Sequence, residues 1–316
     1  MRLRNQTLAN TIYTVTLNPA LDKEYKVPEL FMDEVMRMKG MQIDYGGKGF
    51  NVSRMLKSLG ANTVALGFVG GHTGDIITEG LHSLGIQVDL TPIAGETRTN
   101  TSIVAESDDH YMKINEKGPD VTGSEVRSLL AKVKTLVKPG DFWVLAGSLP
   151  NKVPQDIYAQ IIGLIKNAGA FAVLDTSGEP LRLGIEAKPN LVKPNIYELS
   201  SYLGREISGL QELPEAVDVL HAKGIENVLV SLGGEGAFLS DSSRAWQGIP
   251  PHIDVKNPVG AGDAMVAGMV WRLSEGDAVS DALPWSIACG TAAANQPGTG
   301  MPSINLVREF KEKVMI

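Results

Sequence analysis

The chain has 316 residues, enough for one large core with an appended part, and its 43% hydrophobic and 21% charged residues are ordinary for a water-soluble globular fold. A formal net charge of −7 argues against the broad positive field on which non-specific nucleic-acid or anionic-membrane binding depends, so any phosphate site has to be local. The single cysteine, Cys289, leaves no internal disulfide, and His72, His82, His110, His221 and His252 are too scattered to give a zinc site much support.

Met1 to Gln6 carry positive charge without a following apolar stretch, and no run of 18 apolar residues occurs, so neither an export signal nor a membrane span is expected. A reduced, cytoplasmic setting fits. Thr11-Ile12-Tyr13-Thr14-Val15-Thr16-Leu17 is β-branched and aromatic and stops at Asn18-Pro19-Ala20, which predicts a first strand and a loop. Asp22 then falls beyond a strand's carboxyl end, where open α/β sheets gather ligands; it is either an acceptor for hydroxyl groups or a plain turn residue.

Residues 23–45 run in short alternating pieces, such as Lys23-Glu24-Tyr25-Lys26-Val27 and Met36-Arg37-Met38-Lys39, broken by Pro28 and Gly40, and predict small strands outside the main sheet. Tyr45-Gly46-Gly47-Lys48-Gly49-Phe50-Asn51 comes next, followed by Val52, Met55, Leu56 and Leu59 at helical spacing before Gly60. A glycine-rich helix opening with Lys48 and Asn51 in it can hold a phosphate or the hydroxyls of a polar ligand, or be no more than a flexible loop. It is not a Walker loop, because Gly49 stands where Ser or Thr would.

From 63 to 140 the pattern alternates: a strand at 64–69, a helix at 74–84, a short strand at 88–90, two β segments at 97–106 and 110–114 joined at Ser107-Asp108-Asp109, and a helix at 124–137. The two β segments are expected to pair with the pieces from 23–45 into a small sheet acting as a lid, formed by about 23–45 and 97–116. The second half gives a strand at 142–145, a helix at 155–168, a strand at 172–174 ending at Asp175, and a short strand at 191–192 running into Lys193-Pro194-Asn195. A helix from Asn195, another at 214–222, a strand at 227–231, the turn Leu232-Gly233-Gly234-Glu235-Gly236 and strands reaching Trp246 follow. Strands and helices alternating at this spacing predict one α/β domain spanning 1–316, its mostly parallel sheet covered by helices on both faces.

Asn257-Pro258-Val259-Gly260-Ala261-Gly262-Asp263 opens an apolar helix, and a second apolar, small-residue stretch at 278–294 should pack closely against it before a last helix at 303–314. A helix beginning at Gly260 to Gly262 directs unpaired amides and partial positive charge forward, while Asp263 brings a carboxylate to the same spot. An anion hole beside a base suits transfer of a phosphoryl group to a hydroxyl; the plainer reading is a glycine breaker and an aspartate that favours the helix dipole.

Five ordered motifs carry a resemblance over nearly the whole chain: Gly46-Gly47-Lys48-Gly49-Phe50-Asn51, Gly147-Ser148-Leu149-Pro150, Lys193-Pro194-Asn195-Ile196-Tyr197-Glu198, Val230-Ser231-Leu232-Gly233 through Gly236, and Val259-Gly260-Ala261-Gly262-Asp263. Together they resemble the ribokinase-like, phosphofructokinase-B family of carbohydrate kinases. Leu17-Asn18-Pro19-Ala20-Leu21-Asp22 and Lys48 look most like its sugar-phosphate branch, 1-phosphofructokinase and tagatose-6-phosphate kinase. That resemblance implies an ATP-dependent enzyme with Mg2+, in which Asp263 is the base and the Gly260, Ala261 and Gly262 amides hold developing charge. It implies Asp22, Gly47 and Asn51 on the sugar, and Lys48, Arg98 and, from the lid, Arg37 on the phosphate it already carries.

It further implies Asn195 and Glu198 placing Mg2+ through water, Ser231, Gly233, Gly236 and Asn295 along the nucleotide, and a homodimer through the lid. Pro258 and Ala264 depart from residues common in the family and blur the substrate choice. A kinase of an unphosphorylated sugar or nucleoside is the alternative, followed by a sugar-phosphate sensor without turnover. A nicotinamide dehydrogenase lacks its third glycine after both Gly47-Lys48-Gly49 and Gly260-Ala261-Gly262.

Overall fold

The computed structural model describes residues 10–107 and 110–316. The stretch Met1 to Gln6 and the junction residues Asp108 and Asp109 lie outside the described residues. The elements run β1 (Ile12–Thr16), β2 (Ala20–Val27), β3 (Gly40–Gly46), α1 (Lys48–Ser58), β4 (Thr63–Val69), α2 (Gly71–Ser83), the short β5 (Gln87–Val88) and β6 (Thr91–Pro92), β7 (Arg98–Ala105) and β8 (Tyr111–Asn115). After them come α3 (Gly123–Leu136), β9 (Phe142–Ala146), α4 (Ile157–Asn167), β10 (Phe171–Asp175), α5 (Gly178–Glu186), β11 (Leu191–Val192), α6 (Ile196–Leu203) and α7 (Leu213–Ala222). The chain ends with β12 (Asn227–Ser231), β13 (Ala237–Ser240), β14 (Ala245–Gly248), α8 (Ala261–Ser274), α9 (Val279–Ala294) and α10 (Ile304–Lys311). Among the described residues no helix is long and apolar enough to cross a membrane.

The main sheet orders its strands β14-β13-β12-β11-β10-β9-β1-β4-β5, with β6 paired to β4, and is parallel from β12 to β5. Strands covered on both faces read as unbroken apolar runs, and β9 shows why. Trp143 and Leu145 pack with Leu129 of α3 and Ile157 and Ile161 of α4 on one face. Phe142, Val144 and Ala146 meet Met55 of α1, Met269 of α8 and Ile287 of α9 on the other. Alternation along the strand thus feeds two cores rather than a core and a solvent face.

The second sheet has the order β3-β2-β7-β8, with β2 and β7 parallel and the two outer pairs antiparallel. Its first strand begins at Ala20, earlier than the 23–45 boundary expected, so Asp22 belongs to this sheet and not to a loop after β1. Met36-Arg37-Met38-Lys39, expected as a strand, is irregular: with Pro28 behind it, that connection finds one backbone bond to β2, from Lys39 N to Lys26 O. Helix α5 was not anticipated.

Helices α8 and α9 do pack closely, because small residues let their backbones approach. A Cβ added to Gly268 would lie 2.8 Å from the Trp285 carbonyl oxygen, and one added to Gly290 would lie 3.1 Å from that of Ala261. The second of these contacts seats the first turn of α8 against the C-terminal part of α9.

Candidate active site

Between β1 and β9 the strand order reverses, with β4 on one side and β10, β11 and β12 on the other. Connections leaving in opposite directions open a crevice at the carboxyl ends of such strands. A cavity of about 230 Å3 lies there, lined by Thr16 ending β1 and Asn18 after it, by Gly47 and Lys48, by Arg98 opening β7, and by Ser148 and Glu198 among others.

Two helix starts face one another beside it. Gly47 caps α1 at φ 126°, where a Cβ would sit 2.5 Å from Thr16 Cγ2, and Gly260 caps α8 in the left-handed region at φ 82°. Only glycine takes such conformations without strain. One turn into α1, Asn51 donates from Nδ2 to Asp263 Oδ2 in the first turn of α8, at 2.8 Å. Asp263 is almost wholly buried, and burial together with the nearby Asp175 charge pushes its carboxyl up to about 7, against the opposing pull of Lys48, Asn51 and Lys193.

Asp175, the last residue of β10, was read from the sequence only as a strand end, and Lys193, just after β11, only as part of a motif. The structure joins them to Lys48: Asp175 Oδ1 accepts from Lys48 Nζ at 2.8 Å, and its Oδ2 lies 3.4 Å from Lys193 Nζ. Burial pushes the Asp175 carboxyl up, but the Lys193 and Lys48 charges outweigh it and hold the group below its ordinary value. Burial likewise works against the Lys48 ammonium, and Asp175, Asp263 and Glu198 overcome it and raise its pKa. A Cβ on Gly262 would lie 3.5 Å from Lys193 Nζ, which puts a second ammonium beside the opening of α8.

From the second sheet, Asp22 accepts from Asn100 Nδ2 at 2.7 Å, and burial raises its pKa. A side chain at Gly46 would collide with its carboxylate. The Arg98 guanidinium is spread over three carbonyl oxygens, of Pro19 (3.4 Å), Glu116 (2.9 Å) and Asn18 (3.1 Å), which fixes a cation at the cavity rim. Arg37 is not brought to this place: it sits exposed on the irregular connection between β2 and β3 and is not among the residues lining the cavity.

Asn195 and Glu198 form a reciprocal cap at the start of α6, with Glu198 N donating to Asn195 Oδ1 at 2.8 Å and Asn195 N to Glu198 Oε2 at 2.9 Å. The other Glu198 oxygen, Oε1, is 3.8 Å from Lys48 Nζ. Asn195 bridges to Ser231 at the end of β12, where Gly233 and Gly236 take φ 59° and 93° in the following turn. Asn295 ends α9 and donates to the Asp254 carbonyl at 3.0 Å, on the segment that leads to Gly260.

Residues 15–305 match the model of the pfkB family carbohydrate kinases. The chain is 36% identical over 284 residues to the 1-phosphofructokinase of Borreliella burgdorferi, covering 90% of this chain and 91% of that one. It is similar to the crystal structure of phosphofructokinase-2 from Escherichia coli in complex with potassium, with a TM-score of 0.92 and 29% identity over 96% of this chain and 99% of that one. Ribokinase of Arabidopsis thaliana, complexed with ribose and ATP, shares the fold alone, with a TM-score of 0.80 and 23% identity over 96% and 99% of the two chains. The alternating core, the second sheet at the strand ends and the family match across most of the length lead to one conclusion: this chain belongs to the pfkB family of carbohydrate kinases, ATP-dependent enzymes, and has the ribokinase-like fold.

Proposed function

We propose that the protein moves the γ-phosphoryl group of ATP onto a free hydroxyl of a phosphorylated ketohexose, fructose 1-phosphate or tagatose 6-phosphate, to give the bisphosphate. The observation that carries this reading is the 2.8 Å bond between Asn51 and Asp263, which holds a carboxylate of raised pKa between two glycine-opened helices and within the field of Lys48, itself a wall of the cavity that Arg98 also lines. A carboxylate poised near neutrality takes a proton from an alcohol more readily than an ordinary one. The amides of Gly260, Ala261 and Gly262 lie one turn or less from Asp263 and face the position where negative charge would develop on the transferred group.

In this reading Asp22, Gly47 and Asn51 hold the sugar, and the second sheet closes over it as a lid formed by residues 20–46 and 98–115. Lys48 and Arg98 neutralise the phosphate the substrate already carries. Ser231, Gly233, Gly236 and Asn295 line the nucleotide. Mg2+ fits the donor set, since it keeps much of its water and needs only one or two carboxylates beside the substrate phosphates. Glu198, whose Oε1 is left over from the cap, and Asn195 would hold it through water, where it would offset phosphate charge.

Replacement of Asp263 by Asn tests the mechanism: an ADP-release assay should find turnover down by about 10²–10⁴-fold or more with ligand binding largely kept. Near-normal turnover would remove Asp263 as the base. Both cations already have partners, Lys48 in Asp175 and Arg98 in backbone carbonyls, and this favours a second reading in which the acceptor is an unphosphorylated sugar. A panel of fructose 1-phosphate, tagatose 6-phosphate, fructose 6-phosphate and free hexoses separates the two, and so does Arg98→Ala, which raises KM only for a phosphorylated acceptor.

A further inference from the structure

The side-chain amide of Asn51 can meet Asp263 with its oxygen or with its NH2 group, and only the second stabilises a carboxylate. Arg54 decides which. One turn further along α1, on the same face, its Nη1 reaches Asn51 Oδ1 at 3.4 Å. A guanidinium has donors and no acceptor, so the atom it meets must be the amide oxygen, and the NH2 group is left for Asp263. The assignment of that amide therefore follows from chemistry at both of its ends.

Arg54 is itself fixed by groups far away in sequence. Its Nη1 donates to Thr299 Oγ1 at 3.2 Å, and its Nη2 donates to the Thr299 carbonyl at 3.1 Å and to Asp44 Oδ1 at 3.0 Å. Asp44 lies on β3, at the edge of the second sheet, and Arg54 is more than nine-tenths buried. We propose that Arg54 is a positioning residue that ties the second sheet to the catalytic carboxylate, by presenting the amide of Asn51 to Asp263 in the one orientation that favours its charged form. The proposal rests on Asp263 being the base.

The experiment compares Arg54→Lys, Arg54→Met and Asn51→Ala, alone and with Asn51→Ala combined with each Arg54 change, using fructose 1-phosphate and ATP in an ADP-release assay across pH. Both Arg54 variants are expected to lower kcat at neutral pH by about tenfold or more and to move the acid limb of the profile to higher pH, as Asn51→Ala does. Each double variant is expected to be no slower than Asn51→Ala, because Arg54 acts through that amide. Arg54→Lys keeps a cation for Asp44 and so guards against a variant that merely fails to fold. A purely structural role would lower the active fraction without moving the limb. An unmoved limb in Arg54→Lys, or losses that simply add in the double variants, overturns the proposal. Loss of the Asp263 reading shows separately, as retained turnover in Asp263→Asn.

Discussion

A carboxylate that takes a proton from an alcohol must be ionised at working pH yet basic enough to accept. Asp263 meets both demands near neutrality because burial raises its pKa while Asn51, Lys48 and Lys193 limit the rise to about 7. With Asp263 as the proposed base, protonation below that pH disables it, so kcat/KM should fall tenfold per pH unit as pH drops through about 7, as a pH profile would record. The same shift affects stability. A carboxyl that binds its proton more tightly when folded than at its ordinary 3.8 contributes stability that is full below that value and lost as pH rises through about 7. Asp263→Asn should therefore melt higher than the parent at pH 8, by roughly a few degrees, and match it more closely at pH 5; a melting curve series checks this. Asn51 and Asp263 could be picked out from the sequence because each stands beside glycines at a helix opening, a pattern that can bind a ligand as well as break a chain. Asp175, Lys193 and Arg54 could not: the Lys48–Asp175 bond spans 127 positions, and a lysine after one short strand acquires meaning only when another strand's end lies next to it.

At the scale of elements, α8 has two tasks, to fill the core and to aim its first turn, and the glycines of its contact with α9 separate them. A methyl group at Gly268 would crowd the Trp285 carbonyl and Cys289 Sγ, each at 2.8 Å, about 10 Å along the helix from its opening. One at Gly290 would press on Met265 Cγ at 2.5 Å and on the Ala261 carbonyl, within the first turn. Overpacking of this kind costs about 1–3 kcal/mol. Gly268→Ala should lose that much in denaturant melts and keep its kcat, whereas Gly290→Ala should lose stability and turnover together; equal kcat in both would mean that α9 does not set the aim of α8. Elements with apolar runs, such as β9 and α9, were legible because burial on both sides leaves little other pattern, and β1 was legible from its β-branched and aromatic residues. Helix α5 was not. Its nine residues carry Gly178, Pro180 and Gly184, which read as breakers, and the helix stands because Leu181 and Ile185 reach the core shared with α4.

For the whole molecule, register in the second sheet sorts its two faces. The row Met41, Tyr25, Ile103 and Met112 runs across all four strands, with Ile43, Lys23, Thr101 and Ile114 two positions along on the same face. The alternate rows carry Asp44, which accepts from Arg54, and Asp22, which accepts from Asn100. The face of the first two rows leaves Met41, Ile114 and Met112 at 49%, 58% and 39% exposure, and the connection before β3 exposes Met32 and Val35 at 77% and 87%. An apolar-rich sheet face of this kind is a candidate interaction surface, and a second copy of the same sheet would cover it with matching chemistry. The homodimer that the resemblance implies would form through this face. Sedimentation velocity should give twice the chain mass for the parent and a monomer for the double variant Met112→Glu with Ile114→Glu. Because strands β2 and β7 carry Asp22 and Arg98 on the same sheet, the monomer should also show a higher KM for the sugar phosphate with kcat less affected. A parent that remains monomeric at assay concentrations, or a double variant that dimerises as before, would leave this face without that role.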